Sequence, residues 1–275
     1  MGTDISLTVG DGGLLLRAVG LSMRYIRGGW LSGRRQIEAL RTVDLEIRAG
    51  STLAVVGASG SGKSTLARCL ACLERPVSGA IWFAEKNITR LSDRELVPFR
   101  RQIQLIFQEA DASLNPRFTA VEVVSEPLLV AGLGTKRDRR DRALALMELV
   151  GLPEHLGSRS AFELSGGQRR RLAIARALAL EPKLLILDEA LTGLDLSTHA
   201  QICNLLLKLQ DVYSLTYLCI SHDFGLVTRL ADQVVVLDKG RVVAGGAPEL
   251  AAHTYQTQPK ESLSGALSLG SLPVT

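Results

Sequence analysis

The sequence predicts an α/β fold, in which a mostly parallel sheet with flanking helices is joined by an antiparallel β part and an inserted helical subdomain. Short continuous apolar runs alternate with helical patterns in both halves of the chain, which is typical of parallel strands buried on both faces. Near the N-terminus apolar residues instead alternate with polar ones, and the middle of the chain shows helical patterns alone. At 275 residues the chain is long enough for one large domain with a subdomain.

The predicted strands begin at Leu14. The segments LLLRAVGLSMRY and ALRTVDLEI are joined by the Gly-rich, basic loop IRGGWLSGRRQIE and resemble an antiparallel hairpin beside the main sheet. Helical patterns such as KSTLARCLACL and LSTHAQICNLLLKLQ connect the later strands, as a parallel order requires. These later strands are five apolar runs: TLAVV at 52–56, IQLIF at 103–107, LLIL at 184–187, TYLCI at 216–220 and QVVVL at 233–237.

The domain boundaries follow from the same patterns. Residues 14–250 form one predicted domain, whose core comprises residues 14–111 and 180–250. Residues 112–179 form the predicted helical subdomain, because runs such as TAVEVVSEPLLVAG and QRRRLAIARALAL replace strands there. Residues 251–275 are rich in Ser, Thr, Gln, Pro and Gly, and this composition predicts a flexible tail.

The composition argues against several classes of protein. The basic residues behind the net charge of +4 are scattered through helices and interrupted by acidic ones, which favours solvated helix faces over a nucleic-acid-binding surface. Cys69 and Cys72 form a C-x-x-C inside an apolar helix, without a second pair or a nearby His, so we expect buried side chains in a reducing cytosol. No signal-peptide pattern opens the sequence and no apolar run approaches the roughly 20 residues of a membrane span. We therefore expect a chain that stays in the cytosol and does not cross a membrane by itself.

The sequence GASGSGKST at 57–65, called the phosphate loop below, fits G-x-x-x-x-G-K-[ST] between a buried strand and a helix. This context predicts a P-loop NTPase core that binds a nucleoside triphosphate. Lys63 can reach the β- and γ-phosphates, and Ser64 can ligate Mg²⁺. The other phosphate contacts are expected from Gly57, Ser59, Gly60, Gly62 and Thr65. The motif occurs in kinases, GTPases and motors alike, so it does not decide the activity.

Two acidic residues end the predicted strand LLILDE, at the edge of the sheet where ligands of open parallel sheets bind. We expect Asp188 to hold Mg²⁺ through water and Glu189 to polarise the water that attacks the γ-phosphate. An acid directly after the metal-binding Asp favours hydrolysis over transfer to a second substrate. Gln108 and His222 also follow strand-like runs and are placed to project into the same crevice.

A second glycine loop, LSGGQ at 164–168, precedes a helical run and is called the signature loop below. The N–H groups and the dipole of a helix N-terminus favour an anion there, yet this loop has no lysine. With it, the order of motifs resembles the nucleotide-binding subunit of ABC transporters: GASGSGKS, Gln108, LSGGQ, LLILDE, LTGLD and His222. The resemblance covers roughly residues 14–250.

The resemblance implies ATP and Mg²⁺ as cofactors and a role for each matching residue. Tyr25 would stack on adenine, and Asp195 in LTGLD would lie across a dimer seam. Gln108 would touch Mg²⁺ and the attacking water, and His222 would contact the γ-phosphate. In the family two such subunits assemble head to tail, and the signature loop of one closes over the ATP that Lys63 of the other holds. The residues expected at that closure are Ser165, Gly166, Gly167 and Gln168.

The stretch FQEADASLNPR at 107–117 and the loop IRGGWLSGRRQIEAL resemble importer subunits for dipeptides, oligopeptides and nickel. This narrower resemblance implies transmembrane permease subunits that dock at the helical subdomain, an extracytoplasmic substrate-binding protein, and a peripheral position at the cytoplasmic face of the cell membrane. DEALTGLD replaces the commoner D-E-P-[TV]-S-A-L-D but keeps Glu189 and Asp195. An exporter ATPase and a soluble ABC ATPase stay open as alternatives, and the sequence does not decide whether the second ATPase subunit is identical or homologous.

Overall fold

The computed structural model describes residues 13–27, 35–107, 114–115, 117–222, 224–227, 229–249 and 251. Gln108 lies outside these described residues, as do most of FQEADASLNPR, the middle of the predicted loop between the first two strands, and the predicted tail after Ala251. Within the described residues, no helix has the length and apolar character that a membrane crossing needs.

Ten strands and seven helices make up the described chain. The strands are β1 (Leu14–Arg27), β2 (Arg35–Arg48), β3 (Thr52–Val56), β4 (Ser78–Phe83), β5 (Lys86–Asn87), β6 (Ile103–Ile106), β7 (Leu184–Asp188), β8 (Thr216–Ser221), β9 (Gln233–Asp238) and β10 (Arg241–Gly246). The helices are α1 (Lys63–Leu70), α2 (Asp93–Gln102), α3 (Ala120–Val130), α4 (Lys136–Leu149), α5 (Gly166–Leu178), α6 (Leu196–Tyr213) and α7 (Phe224–Val227), with short 3₁₀ turns at Glu154–Leu156 and Ala161–Glu163.

The central sheet has six strands in the order β10-β9-β3-β8-β7-β6. The five strands from β9 to β6 are parallel, and β10 pairs antiparallel with β9 at the edge. Each of the five predicted apolar runs is one of these parallel strands, with ends that differ by at most one residue. The predicted α/β fold with a mostly parallel sheet is therefore confirmed.

A second sheet has four strands in the order β2-β1-β4-β5. Its hairpin of β1 and β2 confirms the predicted antiparallel part, and the paired strands extend further into the predicted loop, to Arg27↔Arg35. β4 pairs antiparallel with the other edge of β1, from Leu16↔Phe83 to Ser22↔Ser78. The long first strand thus joins two segments that are distant in the sequence.

Both faces of the six-stranded sheet are buried. Side chains alternate along β3, so that Ala54 and Val56 belong to one hydrophobic cluster and Leu53 and Val55 to the other. The first cluster also holds the buried apolar residues of α4 and α5 and most of those of α3, and the second holds the buried apolar residues of α1 and the antiparallel sheet. The helices at 120–178 therefore share their core with one face of the sheet, and the division into a separate subdomain at 112–179 stays a prediction.

The cysteines of the C-x-x-C pattern are free and buried, as are Cys203 and Cys219. Burial raises the pKa of the Cys69 thiol to about 12 and that of Cys72 to about 11. Both side chains are therefore protonated packing residues at neutral pH, in agreement with the interpretation of the pattern.

Candidate functional site

The phosphate loop connects β3 to α1 at the carboxyl edge of the central sheet. Two of its glycines have no room for a side chain, because a Cβ at Gly57 would lie 2.2 Å from the Leu237 carbonyl oxygen and one at Gly62 2.3 Å from that of Ala39. Gly62 also has a φ of +108°, which disfavours other residues. The loop backbone is therefore held between β9 and β2, while Ser59 and Gly60 are exposed at its tip.

Lys63 lies at the start of α1 with only 5% of its surface exposed. Its Nζ donates hydrogen bonds to the carbonyl oxygens of Gly57 at 2.8 Å and Ala58 at 2.9 Å. Burial lowers the pKa of the Lys63 ammonium, and the negative charges of Glu189 and Asp188 oppose that shift. The loop thus curls around a buried cation, which is the charge that a phosphate group needs.

The residue after Lys63 meets the end of β7. The Ser64 hydroxyl donates to Asp188 Oδ1 at 3.1 Å, and Asp188 is 4% exposed. Burial raises the pKa of Asp188, and the hydrogen bond from Ser64 opposes that shift. One hydroxyl and one carboxylate fit Mg²⁺, which prefers oxygen ligands and takes few of them from protein when phosphates supply others.

Glu189 and His222 meet one residue beyond the ends of the neighbouring strands β7 and β8. Glu189 Oε2 lies 3.3 Å from His222 Nδ1, with the Glu189 side chain 14% exposed and that of His222 51% exposed. Glu189 has a φ of +50°, which is rare for a residue with a side chain. Its N–H donates to the Ile220 carbonyl at 2.9 Å, and the Thr192 hydroxyl donates to its carbonyl at 2.7 Å. These bonds hold the Glu189 backbone in this conformation, directly after Asp188.

The signature loop begins α5, with Ser165 as the N-cap residue. Ser165 Oγ accepts from the Gln168 N–H at 3.3 Å, and the Ser165 N–H donates to Gln168 Oε1 at 2.9 Å. This reciprocal capping box occupies the Gln168 side chain within its own helix, which the S-x-x-Q spacing could have revealed. Gly166 is exposed at the start of the helix.

Gly167 and Asp195 both contact Thr198, near the start of α6. A Cβ at Gly167 would lie 2.9 Å from Thr198 Cγ2. Asp195 is the N-cap of α6: its Oδ1 accepts from the Thr198 N–H at 2.9 Å, and the Thr198 hydroxyl donates to Oδ2 at 2.7 Å. These bonds lower the pKa of Asp195. Thr198, which no motif indicated, thus links the signature loop to the LTGLD segment.

The Tyr25 hydroxyl points to the phosphate-loop helix. It donates to the Glu74 carboxylate and lies 3.4 Å from Thr65 Oγ1. Glu74 belongs to no motif, so the sequence offered no indication of this contact. Next to Gln108, which lies outside the described residues, the Phe107 carbonyl accepts a hydrogen bond from Arg170 of α5 at 3.4 Å.

Comparison with known proteins identifies the family of this chain. Residues 40–192 match the family described as ABC transporter. The dipeptide transport ATP-binding protein DppF of Haemophilus influenzae is 40% identical over 236 residues, which cover 86% of this chain and 72% of DppF. The di/tripeptide transport ATP-binding protein DppF of Pseudomonas aeruginosa is 42% identical, over 82% of this chain and 71% of its own.

A solved structure shows the same architecture. It is the dimeric post-hydrolysis state of the ATP-binding cassette MJ0796 bound to ADP and Pi, with a TM-score of 0.75 and 32% identity over 84% of this chain and 97% of that one. The chain therefore belongs to the ABC transporter family, and its predicted resemblance to the ATPase subunits of peptide importers is confirmed.

Proposed function

We propose that this chain binds Mg²⁺-ATP and hydrolyses it to drive the uptake of peptides through separate permease subunits. The observation that supports hydrolysis most directly is the Glu189–His222 pair, which lies beside Asp188 at the ends of β7 and β8. The peptide cargo is supported by the names of the relatives, which favour it over nickel. Neither an exporter nor a soluble ABC ATPase is favoured by any of these relatives.

The phosphates would be bound by the phosphate loop. The Lys63 ammonium offers its charge to the β- and γ-phosphates, while the backbone N–H groups of the loop surround them. Ser64 and Asp188 would hold Mg²⁺, which when bound neutralises charge on the phosphate oxygens. Tyr25 would provide the ring for the adenine base, and Thr65 would contact the α-phosphate. Gln108 is proposed to reach the metal and the attacking water from its place after β6.

Glu189 would accept a proton from the water that attacks the γ-phosphate, since its carboxylate is fixed in place and lies beside the metal-binding residue. His222, 3.3 Å away, would contact the γ-phosphate and orient this carboxylate. Little covalent chemistry is asked of the protein in phosphoryl transfer, so positioning and charge carry most of the catalysis.

The second half of the site would come from another subunit. Ser165, Gly166 and Gly167 lie at a helix N-terminus without a lysine, and we propose that they close over the ATP of a facing cassette, with Asp195 near the seam. The dimeric MJ0796 structure supports this arrangement. We also propose that permease subunits dock at the helical segment and that a substrate-binding protein outside the cell delivers the cargo. The chain would then lie peripherally at the cytoplasmic face of the membrane.

The variant Glu189→Gln tests the hydrolytic role. It removes the proton acceptor but keeps the size and most contacts of the side chain, so we expect normal ATP affinity, phosphate release reduced by at least about a hundredfold, and an ATP-dependent dimer in size-exclusion chromatography. The exposed Glu148→Gln on α4 is a matched control and should hydrolyse ATP at the wild-type rate. Wild-type turnover by Glu189→Gln would rule out Glu189 as the general base.

A further inference from the structure

We propose that Glu74 is a positioning residue for the adenine site, because it anchors the Tyr25 ring to the helix that carries the phosphate loop. The inference rests on the proposed function, since it requires that the chain binds ATP. It adds a residue that lies outside all the motifs and assigns it a specific role, which is to join the base site and the phosphate site into one rigid unit.

The contacts of the Tyr25 hydroxyl carry the inference. Tyr25 lies near the end of β1, in the antiparallel sheet, whereas Thr65 lies in the first turn of α1. The hydroxyl donates to Glu74 Oε2 and lies 3.4 Å from Thr65 Oγ1. A tyrosine from one sheet is therefore tied to residues that are 40 and 49 positions away along the chain.

Glu74 is itself fixed to α1. Its Oε1 lies 3.4 Å from Arg68 Nη1, and its N–H donates to the Arg68 carbonyl at 3.2 Å. The side chain is only 26% exposed, so the pair with Arg68 is partly shielded from water. Arg68, Glu74 and Tyr25 thus form a continuous chain of contacts, and this chain starts on the same helix that begins at Lys63.

Anchoring the hydroxyl affects what the ring can do. A partly exposed tyrosine near the end of a strand can adopt several rotamers, and ordering the ring reduces the affinity for a base that stacks on it. A hydroxyl held by a carboxylate restricts the ring before the ligand arrives, so stacking is favoured without any direct contact between Glu74 and the nucleotide. Burial and the bond to Glu74 raise the pKa of Tyr25, so the phenol keeps its proton to donate throughout the neutral range.

The test compares two ligands that differ in the base. The full chain is titrated calorimetrically with Mg²⁺-ATP and with Mg²⁺-tripolyphosphate, which has no base. We expect Tyr25→Phe and Glu74→Leu each to weaken ATP binding by about threefold to tenfold, which corresponds to the net contribution of one ordinary hydrogen bond. Tripolyphosphate should bind all variants within about twofold of the wild-type affinity, since the phosphate contacts remain. The double variant should bind ATP no more weakly than the weaker single variant, because both changes remove the same contact.

Controls separate positioning from a loss of fold. Glu74→Gln keeps an acceptor oxygen and should recover part of the ATP affinity, while Tyr213→Phe, an exposed tyrosine at the end of α6, should change nothing. Thermal unfolding identifies any variant that does not fold. If Glu74→Leu does not fold, the two single variants Tyr25→Phe and Glu74→Gln are compared instead. The role of Glu74 would be overturned by any one of three results: wild-type ATP affinity in the single variants, additive losses of ATP affinity in the double variant, or equal losses of affinity for both ligands. A wild-type chain that fails to bind ATP would instead overturn the proposed function.

Discussion

At the scale of single residues, the site places charged groups where water cannot stabilise them. Lys63 and Asp188 are both almost fully buried. Burial lowers the pKa of Lys63 and raises that of Asp188, so it favours the neutral form of each group. Asp188 receives a hydrogen bond from Ser64, yet its carboxyl pKa stays above the ordinary range. The folded chain without nucleotide therefore holds a carboxylate at a cost in stability, which a bound cation would offset.

The substitution Asp188→Asn should consequently stabilise the fold. The amide removes the buried charge and keeps an oxygen that can accept from Ser64, so we expect the free energy of unfolding at pH 7 to rise by about 1 kcal/mol, a common gain at functional sites. Asn cannot supply the carboxylate that we propose holds Mg²⁺, so Mg²⁺-dependent ATP binding should weaken at least tenfold. Urea unfolding and nucleotide titration measure the two effects.

The same substitution has a defined pH dependence. Because the folded pKa of Asp188 lies above its unfolded value, the protonated carboxyl contributes stability that is fully present below about pH 4 and is lost as the pH rises through the folded pKa. The difference between Asp188→Asn and the wild type should therefore vanish only well below pH 4 and be largest at neutral pH. The exposed Asp211→Asn is the control and should show no such difference. A variant less stable than the wild type at pH 7 would contradict the assigned cost.

At the scale of elements, the sequence predicted what local patterns encode. The five parallel strands are continuous apolar runs because both faces of their sheet are buried, and such runs can be recognised without knowing the partner strand. No element was predicted at 78–102, where the structure has β4, β5 and α2. β4 has only the short apolar run AIWF after Ser78 and Gly79 and depends on pairing with the distant β1, and α2 buries only Leu96, so neither shows a long apolar period.

The site divides in the same way. The residues in glycine-rich and acidic motifs were predictable, because a phosphate loop and a strand-end carboxylate have fixed spacings. Glu74 contacts Tyr25, which is distant in the sequence, and Thr198 lies against Gly167 of a separate motif. No sequence spacing predicts either contact. The S-x-x-Q spacing is enough to predict the capping role of Gln168, whereas its contact with the nucleotide of a facing subunit stays a prediction.

The packing of the signature loop on α6 leads to a prediction about two elements. A Cβ at Gly167 would lie 2.9 Å from Thr198 Cγ2, and Thr198 cannot turn away without losing its bond to Asp195. Gly167→Ala should therefore lower the free energy of unfolding by about 1 kcal/mol, despite the better helix propensity of alanine. In a Thr198→Ser background, which lacks Cγ2 but keeps the hydroxyl, the same change should be neutral or stabilising.

Urea unfolding of the two single variants and the double variant measures this coupling. Gly166→Ala is the matched control, because a Cβ there meets no atom within 4 Å, and it should not depend on residue 198. If Gly167→Ala is equally destabilising in both backgrounds, the signature loop does not rest on Thr198.

At the scale of the whole molecule, one chain contains both halves of the proposed shared site and holds them on different elements. The phosphate loop is held by β9 and β2, whereas the signature loop is held by its own helix and by Thr198 of α6. Each half is fixed by contacts within its own chain, so we expect a second chain to meet each of them without a large rearrangement. A head-to-tail pair of identical chains has two-fold symmetry, and both sites are then completed together.

Mixing two inactive variants tests this arrangement. Lys63→Ala disables the phosphate loop but leaves the signature loop intact. Ser165→Arg disables the signature loop but leaves the phosphate loop intact, so each variant alone should be inactive. In an equal mixture half of the dimers contain one complete site, and we expect phosphate release at about a quarter of the wild-type rate if the partner is a second copy. Lys63→Ala mixed with Glu189→Gln is the control and should stay inactive, because both defects fall on the same half of the site. The rate of phosphate release per wild-type chain should also rise with protein concentration, since dimer formation precedes turnover. Full activity of Ser165→Arg alone, or an inactive mixture beside an active wild type, would show that the site is not shared between two copies.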